Sequence, residues 1–344
     1  MIKDLEGHEV HIAQEGNGHI LVYGNSGQGK TFFLCRLLEE YVERGEKVLI
    51  VDFSGSYSDV QLREKNFVYM DQIRRNNLIE TELFWHYRLR ETDRMCDDIV
   101  DALSQVIGCN GYFQIKILHD VVNHVAKKGD VSLASIVNEL ENTIQEDNEQ
   151  GENAGYMDAA GKLLTRLYPC RIENLHIKRG KMDATQIKPI SIIDLTGFAE
   201  RQRNFLTEFI VNLFWREIYR QEFENRCNVL LLDEVQFMSM KKGSTLPALL
   251  REARKRDVKI ILSTQFISCY EREELLALQQ VDNTVIFRPA PEDYRWSAKR
   301  ISLENYKEWE KKLAQLRRGE AVLKGFYRLD ERKKVSMVPI IINI

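Results

Sequence analysis

The sequence predicts an α/β fold: a mostly parallel sheet with helices on both faces, interrupted by a helical insertion. Three observations carry this. The apolar runs His19-Ile20-Leu21-Val22-Tyr23, Lys47-Val48-Leu49-Ile50-Val51-Asp52, Pro189–Leu195, Asn228–Asp233, Lys259–Ser263 and Thr284–Phe287 have the length of strands buried on both faces. Helical stretches alternate with them, as parallel strands require. Between the first strand and the helical segment Phe32–Arg44 lies Gly24-Asn25-Ser26-Gly27-Gln28-Gly29-Lys30-Thr31, which meets the phosphate-loop pattern G-x-x-x-x-G-K-[ST] at every fixed position.

The remaining elements follow in chain order. Val10–Ala13 reads as a short strand, and the 23 residues before Gly24 leave no room for a separate N-terminal domain. Phe67-Val68-Tyr69-Met70 reads as a short third strand. From 72 to about 180 strand-like runs give way to helical periodicity over Met95–Val106, Gln114–Ala126, Leu133–Ile144 and Ala159–Leu167. The polar, Gly/Asn-rich stretch 145–155 reads as a mobile loop. Strands resume at Pro189, followed by an amphipathic helix at Arg201–Gln221, two late helices at Glu292–Ile301 and Leu303–Leu316, and a final strand at Glu320–Lys324. The expected organisation is a phosphate-loop core in two parts, 1–71 and 189–344, around a mostly helical insertion at 72–188.

Composition narrows the class. The 344 residues carry 49 Lys+Arg against 52 Asp+Glu, so any nucleic-acid binding must come from a local patch. Six cysteines without a C-x-x-C pair read as reduced, mostly buried thiols of a cytoplasmic protein. The seven histidines form no zinc motif, and no apolar run reaches membrane-spanning length.

The phosphate loop implies a nucleotide site built from Gly24 to Thr31, with Phe32 in the first helical turn. Its backbone N–H groups form a nest for anionic oxygens, strengthened by the helix N-terminus. Lys30 would reach the β/γ-phosphates, and the Thr31 hydroxyl would hold Mg²⁺. Leu230-Leu231-Leu232-Asp233-Glu234 has the form of a Walker B strand. Asp233 would hold Mg²⁺, and Glu234 would activate the attacking water. A glutamate beside the aspartate suits hydrolysis, and no N-K-x-D guanine-reading motif is present, so ATP is the expected nucleotide. Gln265, at the tip of the next strand, is placed to sense the γ-phosphate; the lesser alternative is a plain helix cap, with Ser263 or Thr264 doing the capping. Arg251 and Arg254, in Arg251-Glu252-Ala253-Arg254-Lys255-Arg256, suit an arginine finger reaching a neighbouring subunit. They also suit the C-terminal end of a helix dipole.

These linked motifs resemble the HerA/FtsK superfamily of ring-forming DNA-pumping ATPases, and HerA-like proteins most closely. The resemblance rests on His19–Thr31, Val51–Tyr57, Ile192–Thr196, Leu232-Asp233-Glu234, Arg251–Lys255 before Ser263-Thr264-Gln265, and Asn283–Arg288 with Pro291 and Asp293. It implies a RecA-like core, a homohexameric ring, and double-stranded DNA moved through a central channel, with ATP and Mg²⁺ as cofactors. It makes Arg254 the first choice for the trans finger, Arg251 the second and Arg288 a weaker one. The N-terminal barrel usual in HerA proteins is absent here or reduced to a strand. Helical insertions like 72–188 recur in conjugative secretion ATPases of the superfamily.

DNA contacts would come from basic loops gripping phosphates. Lys241 and Lys242, in the loop after Walker B, suit that role and equally suit a solvated basic turn. The expected function is ATP-driven DNA translocation for a nuclease or other effector. The alternatives are a secretion or conjugation assembly ATPase at a membrane complex, and an ATP-gated scaffold or switch for an effector.

Overall fold

The computed structural model describes residues 2–13, 15–87, 92–129, 131–150, 154–179, 188–220, 227–241, 243–330 and 334–344. The chain divides into two compact units: Met1–Arg74, Lys188–Ile192 and Asn225–Ile344 make the first, and Arg75–Ile187 with Ile193–Glu224 the second. In chain order the elements are β1 (Lys3–Asp4), β2 (Val10–Ile12), β3 (Ile20–Tyr23), α1 (Lys30–Glu43), β4 (Val48–Asp52), α2 (Asp59–Glu64), β5 (Ile73–Asn77), β6 (Leu83–Tyr87), α3 (Thr92–Ile107), α4 (Tyr112–Lys127), β7 (Val131–Ser132), α5 (Leu133–Gln150) and α6 (Ala154–Leu167). There follow β8 (Leu175–Arg179), β9 (Ile190–Asp194), α7 (Glu200–Arg220), β10 (Val229–Leu232), α8 (Thr245–Glu252), β11 (Lys259–Thr264), α9 (Arg272–Leu278), β12 (Asn283–Phe287), α10 (Tyr294–Ile301), α11 (Tyr306–Gln315), β13 (Glu320–Lys324), β14 (Tyr327–Leu329) and β15 (Ile340–Asn343).

The first unit is built on strands in the order β1-β15-β13-β12-β3-β11-β10-β4. Its centre is parallel. Leu232 lies opposite both Leu262 and Val51, and Tyr23 lies opposite both Thr264 and Ile286. The register therefore brings the C-terminal tips of β3, β4, β10, β11 and β12 to one edge, where ligands of open α/β sheets bind. Every residue of these five strands is buried, as a doubly covered sheet requires. β13, β15 and β1 extend the sheet antiparallel.

The helix after the phosphate loop is held by its apolar face. Phe33, Leu34, Leu37, Leu38 and Tyr41 of α1 share a core with Val22, Ile50, Leu231, Ile261 and Val285 of the sheet. At roughly 1.5–3 kcal/mol per large apolar side chain buried, this layer is what keeps α1, and so the loop before it, on the sheet. The opposite edge carries a buried polar latch. Lys259 pairs with Glu46, and Asn228 donates to the same carboxylate while accepting the Lys47 N–H at 2.8 Å. His19, fully buried nearby, accepts the Ile260 N–H on Nδ1 at 3.1 Å. Burial, countered by a backbone hydrogen bond and Asp282, brings its pKa down to about 4.

Three sequence expectations need correction. Phe67–Met70 is not a strand. The Phe67 N–H donates to the Leu62 carbonyl at 3.0 Å and the Val68 N–H to Glu39 Oε1 at 3.0 Å, so the donors a ladder needs are taken by α1 and α2. Strands do not vanish after 72. β6, β8 and β7 form a small sheet of their own, β6 parallel and β7 antiparallel to β8, beside the helices α3 to α6. Nor is 145–155 a loop throughout, since α5 continues to Gln150 and α6 starts at Ala154. Glu and Gln propagate a helix well, which outweighs the polarity of that stretch.

Candidate active site

The phosphate loop is held from outside and open inside. Gly24 has φ +143°, and a Cβ there would stand 2.7 Å from Phe287 Cβ and 2.9 Å from the Phe287 carbonyl carbon. Gly27, at φ +73°, would place a Cβ with nothing within 4 Å. The Asn25 N–H donates to the Arg288 carbonyl at 3.0 Å, and the Gly319 N–H donates to the Gln28 carbonyl at 2.9 Å. α1 then opens without a side-chain cap and without an acid in its first turn. A phosphate chain fits this cradle: the start of α1 carries no side-chain cap, and the space beside Gly27 is clear.

Lys30 Nζ donates to the Gly24 carbonyl at 2.6 Å and the Asn25 carbonyl at 3.0 Å. Burial lowers its pKa, while Glu234 and Asp233 pull it back up. Thr31 and Phe32 occupy the first turn of α1, both half-buried, and the Arg36 guanidinium lies 5.0 Å from the Phe32 ring centre.

The acids stand at the tip of β10. Asp233 Oδ2 accepts a hydrogen bond from Ser54 Oγ at 2.5 Å. Ser54 is placed by Asp52, whose carboxylate accepts the Gly55 N–H at 2.9 Å and the Tyr57 N–H at 3.0 Å and so ties down the turn after β4. Burial, then the neighbouring Glu234 charge, pushes the Asp233 pKa up to about 7, with the Ser54 and Ser263 hydroxyls opposing. Carboxylate and hydroxyl oxygens are the hard donors Mg²⁺ prefers, so Asp233 and Thr31 fit that ion.

Glu234 sits in the left-handed region, φ 55° and ψ 50°, which costs a non-glycine residue about 1 kcal/mol and recurs at functional tips. Its Oε1 accepts from Gln265 Nε2 at 2.7 Å and its Oε2 from Gln236 Nε2 at 2.5 Å. Gln236 Oε1 in turn accepts from Thr264 Oγ1 at 2.7 Å. The turn is pinned on either side: Val235 is buried, and the Phe237 ring stacks on Phe53 at 4.7 Å. Asp293 Oδ2 accepts the Ile267 N–H at 3.1 Å and holds the segment after Gln265.

The structure thus places Lys30, Asp233, Glu234 and Gln265 at one sheet edge. It does not bring Arg251 or Arg254 to this chain's own loop. α8 carries the chain back towards the start of β11, so both lie towards the opposite edge, exposed. Arg288 meets the loop through its backbone carbonyl. Lys241 is exposed beside the buried Met240, and Lys242 lies outside the described residues. Sequence reasoning missed the roles of Ser54, Gln236 and Thr264. A glutamine two residues beyond the Walker B glutamate was the only visible signal, and its partner lies one strand away.

The family described as Helicase HerA, central domain, matches residues 12–214, more than half of the chain. The chain belongs to the HerA family. No curated protein matches it by sequence. Among solved structures, this HerA-family chain is similar to the bacterial conjugative coupling protein TrwB, at 15% identity over 96% of this chain and 86% of that one, with a TM-score of 0.65. It is similar to VirB4 of Thermoanaerobacter pseudethanolicus at 15% identity over 99% and 94%, with a TM-score of 0.62. TrwB in complex with ADP and Mg²⁺ matches at 15% identity over 94% and 85%, with a TM-score of 0.64. These likenesses show the fold, the RecA-like phosphate-loop core, as the sequence predicts. Among the described residues no helix is long and apolar enough to cross a membrane.

Proposed function

We propose that this HerA-family chain is a ring-forming ATPase that moves double-stranded DNA in the service of a nuclease or another effector protein. The carrying observation is the 2.7 Å hydrogen bond from Gln265 to Glu234, made between neighbouring strand tips at the edge that holds the phosphate loop. A carboxylate oriented in this way suits activation of water, which a protein that only bound phosphate would not need.

Bound ATP with Mg²⁺ would supply the terminal phosphoryl group and a divalent cation to neutralise its charge. Gly24 to Phe32 hold the phosphate oxygens through backbone N–H groups and the Lys30 ammonium. The Thr31 hydroxyl and the Asp233 carboxylate offer the metal its oxygens. Glu234 takes the proton of the attacking water on a carboxylate oxygen, and the Gln265 amide orients it. The solved complex of TrwB with ADP and Mg²⁺ supports the choice of cofactors.

Arg254, and after it Arg251, suit a finger for a neighbour's site, because both are exposed and away from their own loop. A head-to-tail contact that closes makes a ring. Lys241 is offered to DNA phosphates from the loop that leaves Glu234. Electron microscopy of the protein with a non-hydrolysable ATP analogue and duplex DNA tests this reading. It predicts six-fold rings around DNA; monomers that leave DNA bare would refute it.

A second reading, a secretion or conjugation assembly ATPase at a membrane complex, takes its support from the likeness to the bacterial conjugative coupling protein TrwB. Co-purification with membrane components, with ATP turnover indifferent to duplex DNA, would select it.

A further inference from the structure

The Glu234 carboxylate has two holders. The sequence marked Gln265 as a γ-phosphate sensor and not as a holder of Glu234, and it did not mark Gln236 at all. Gln236 bridges Glu234 Oε2, at 2.5 Å, and Thr264 Oγ1, at 2.7 Å. Chemistry fixes the direction of this chain of bonds. A carboxylate only accepts, so the Gln236 NH₂ faces Glu234 and its carbonyl faces Thr264, whose hydroxyl has this carbonyl at 2.7 Å and the Phe266 carbonyl at 3.1 Å as acceptors, the nearer being Gln236. Thr264 is fully buried in β11, so the far end of the bridge is rigid.

The turn does not need Gln236 for its shape. Val235 anchors one side of it by burial, and Phe237 anchors the other by stacking on Phe53. What does need holding is the carboxylate. Glu234 leaves the strand in a left-handed conformation, and the last torsion of a glutamate is broad and weakly restrained. One amide alone would leave the group free to rotate about that bond. Two amides, one on each oxygen, fix its plane.

We infer that Gln236, backed by Thr264, is a positioning residue for hydrolysis that fixes the plane of the Glu234 carboxylate. This rests on reading the site as an ATPase. The test is steady-state ATP hydrolysis by wild type, Glu234→Gln, Gln236→Ala, Gln236→Glu, Thr264→Val and the Gln236→Ala/Thr264→Val pair. Gln236→Ala lowers kcat about tenfold and leaves the KM for ATP within about twofold. Gln236→Glu keeps the shape but replaces the donor by an acceptor, and loses rate as well. Thr264→Val lowers kcat in the same direction and adds nothing on top of Gln236→Ala, the sign of one shared path. Wild-type kcat in Gln236→Ala and Gln236→Glu beside an inactive Glu234→Gln would overturn this inference alone. So would a Thr264→Val loss that adds to the Gln236→Ala loss. No hydrolysis by the wild type would overturn the ATPase reading and this inference together.

Discussion

Gln265 reaches from the tip of β11 to Glu234 at the tip of β10, its Nε2 donating to Oε1 at 2.7 Å. The bond joins two strands whose register is set by their buried pairing, Leu230 opposite Ile260, Leu231 opposite Ile261 and Leu232 opposite Leu262. Sheet packing, not loop flexibility, therefore sets the distance between the base and its partner. Glu234→Gln should lower kcat by about 10²-fold or more while ATP binding persists, because it removes the proton acceptor but not the phosphate cradle. Gln265→Ala should cost about tenfold. Phosphate release beside equilibrium nucleotide binding separates the two effects.

The phosphate loop makes a contrasting pair of glycines. At Gly24 an added Cβ collides with Phe287 at 2.7 Å, whereas at Gly27 it meets open space. Gly24→Ala should lose about 2 kcal/mol of stability and most nucleotide affinity, since strand β12 must move. Gly27→Ala should cost about 1 kcal/mol, from backbone strain alone. Thermal unfolding with and without ATP ranks the two variants.

Much of this was legible in advance. The apolar runs placed β3, β4, β10, β11 and β12, and the motifs at their ends placed Lys30, Asp233, Glu234 and Gln265. Burial on both faces writes itself into sequence as unbroken Val/Ile/Leu. β6 and β8 were not legible, because Trp85 and His86, or His176 and Lys178, break any such run. Phe67–Met70 misled for the opposite reason, since it is apolar but its N–H donors serve α1 and α2. Gln236 stands in plain view two residues after Glu234, but its bond to the Thr264 hydroxyl was not legible, because the two are neighbours only once β10 and β11 are paired.

His19 gives stability a defined pH dependence. In the unfolded chain its imidazole takes a proton near pH 6.5, whereas the buried ring resists until about 4. Between those values the unfolded state binds more protons, so stability rises with pH across this window and gains nothing further from His19 above it. His19 should remove about 2–3 kcal/mol between pH 7 and pH 4.5. Urea unfolding across that range should show this slope in wild type and a smaller one in His19→Gln.

The buried Lys259–Glu46 pair predicts an asymmetric result. Lys259→Met leaves the Glu46 carboxylate buried against Asn228 without its cation, and should cost about 3 kcal/mol. Adding Glu46→Gln should recover part of that loss, because the remaining group no longer carries charge. Denaturant midpoints of the single and double variants check the sign.

The most direct test of the central claim is the rate of phosphate release by the purified protein with and without duplex DNA, measured beside Glu234→Gln. The account predicts hydrolysis by wild type, stimulation by duplex DNA, and loss of at least about 10²-fold in the variant. Equal rates in wild type and Glu234→Gln, or wild-type turnover that duplex DNA leaves unchanged, would contradict it.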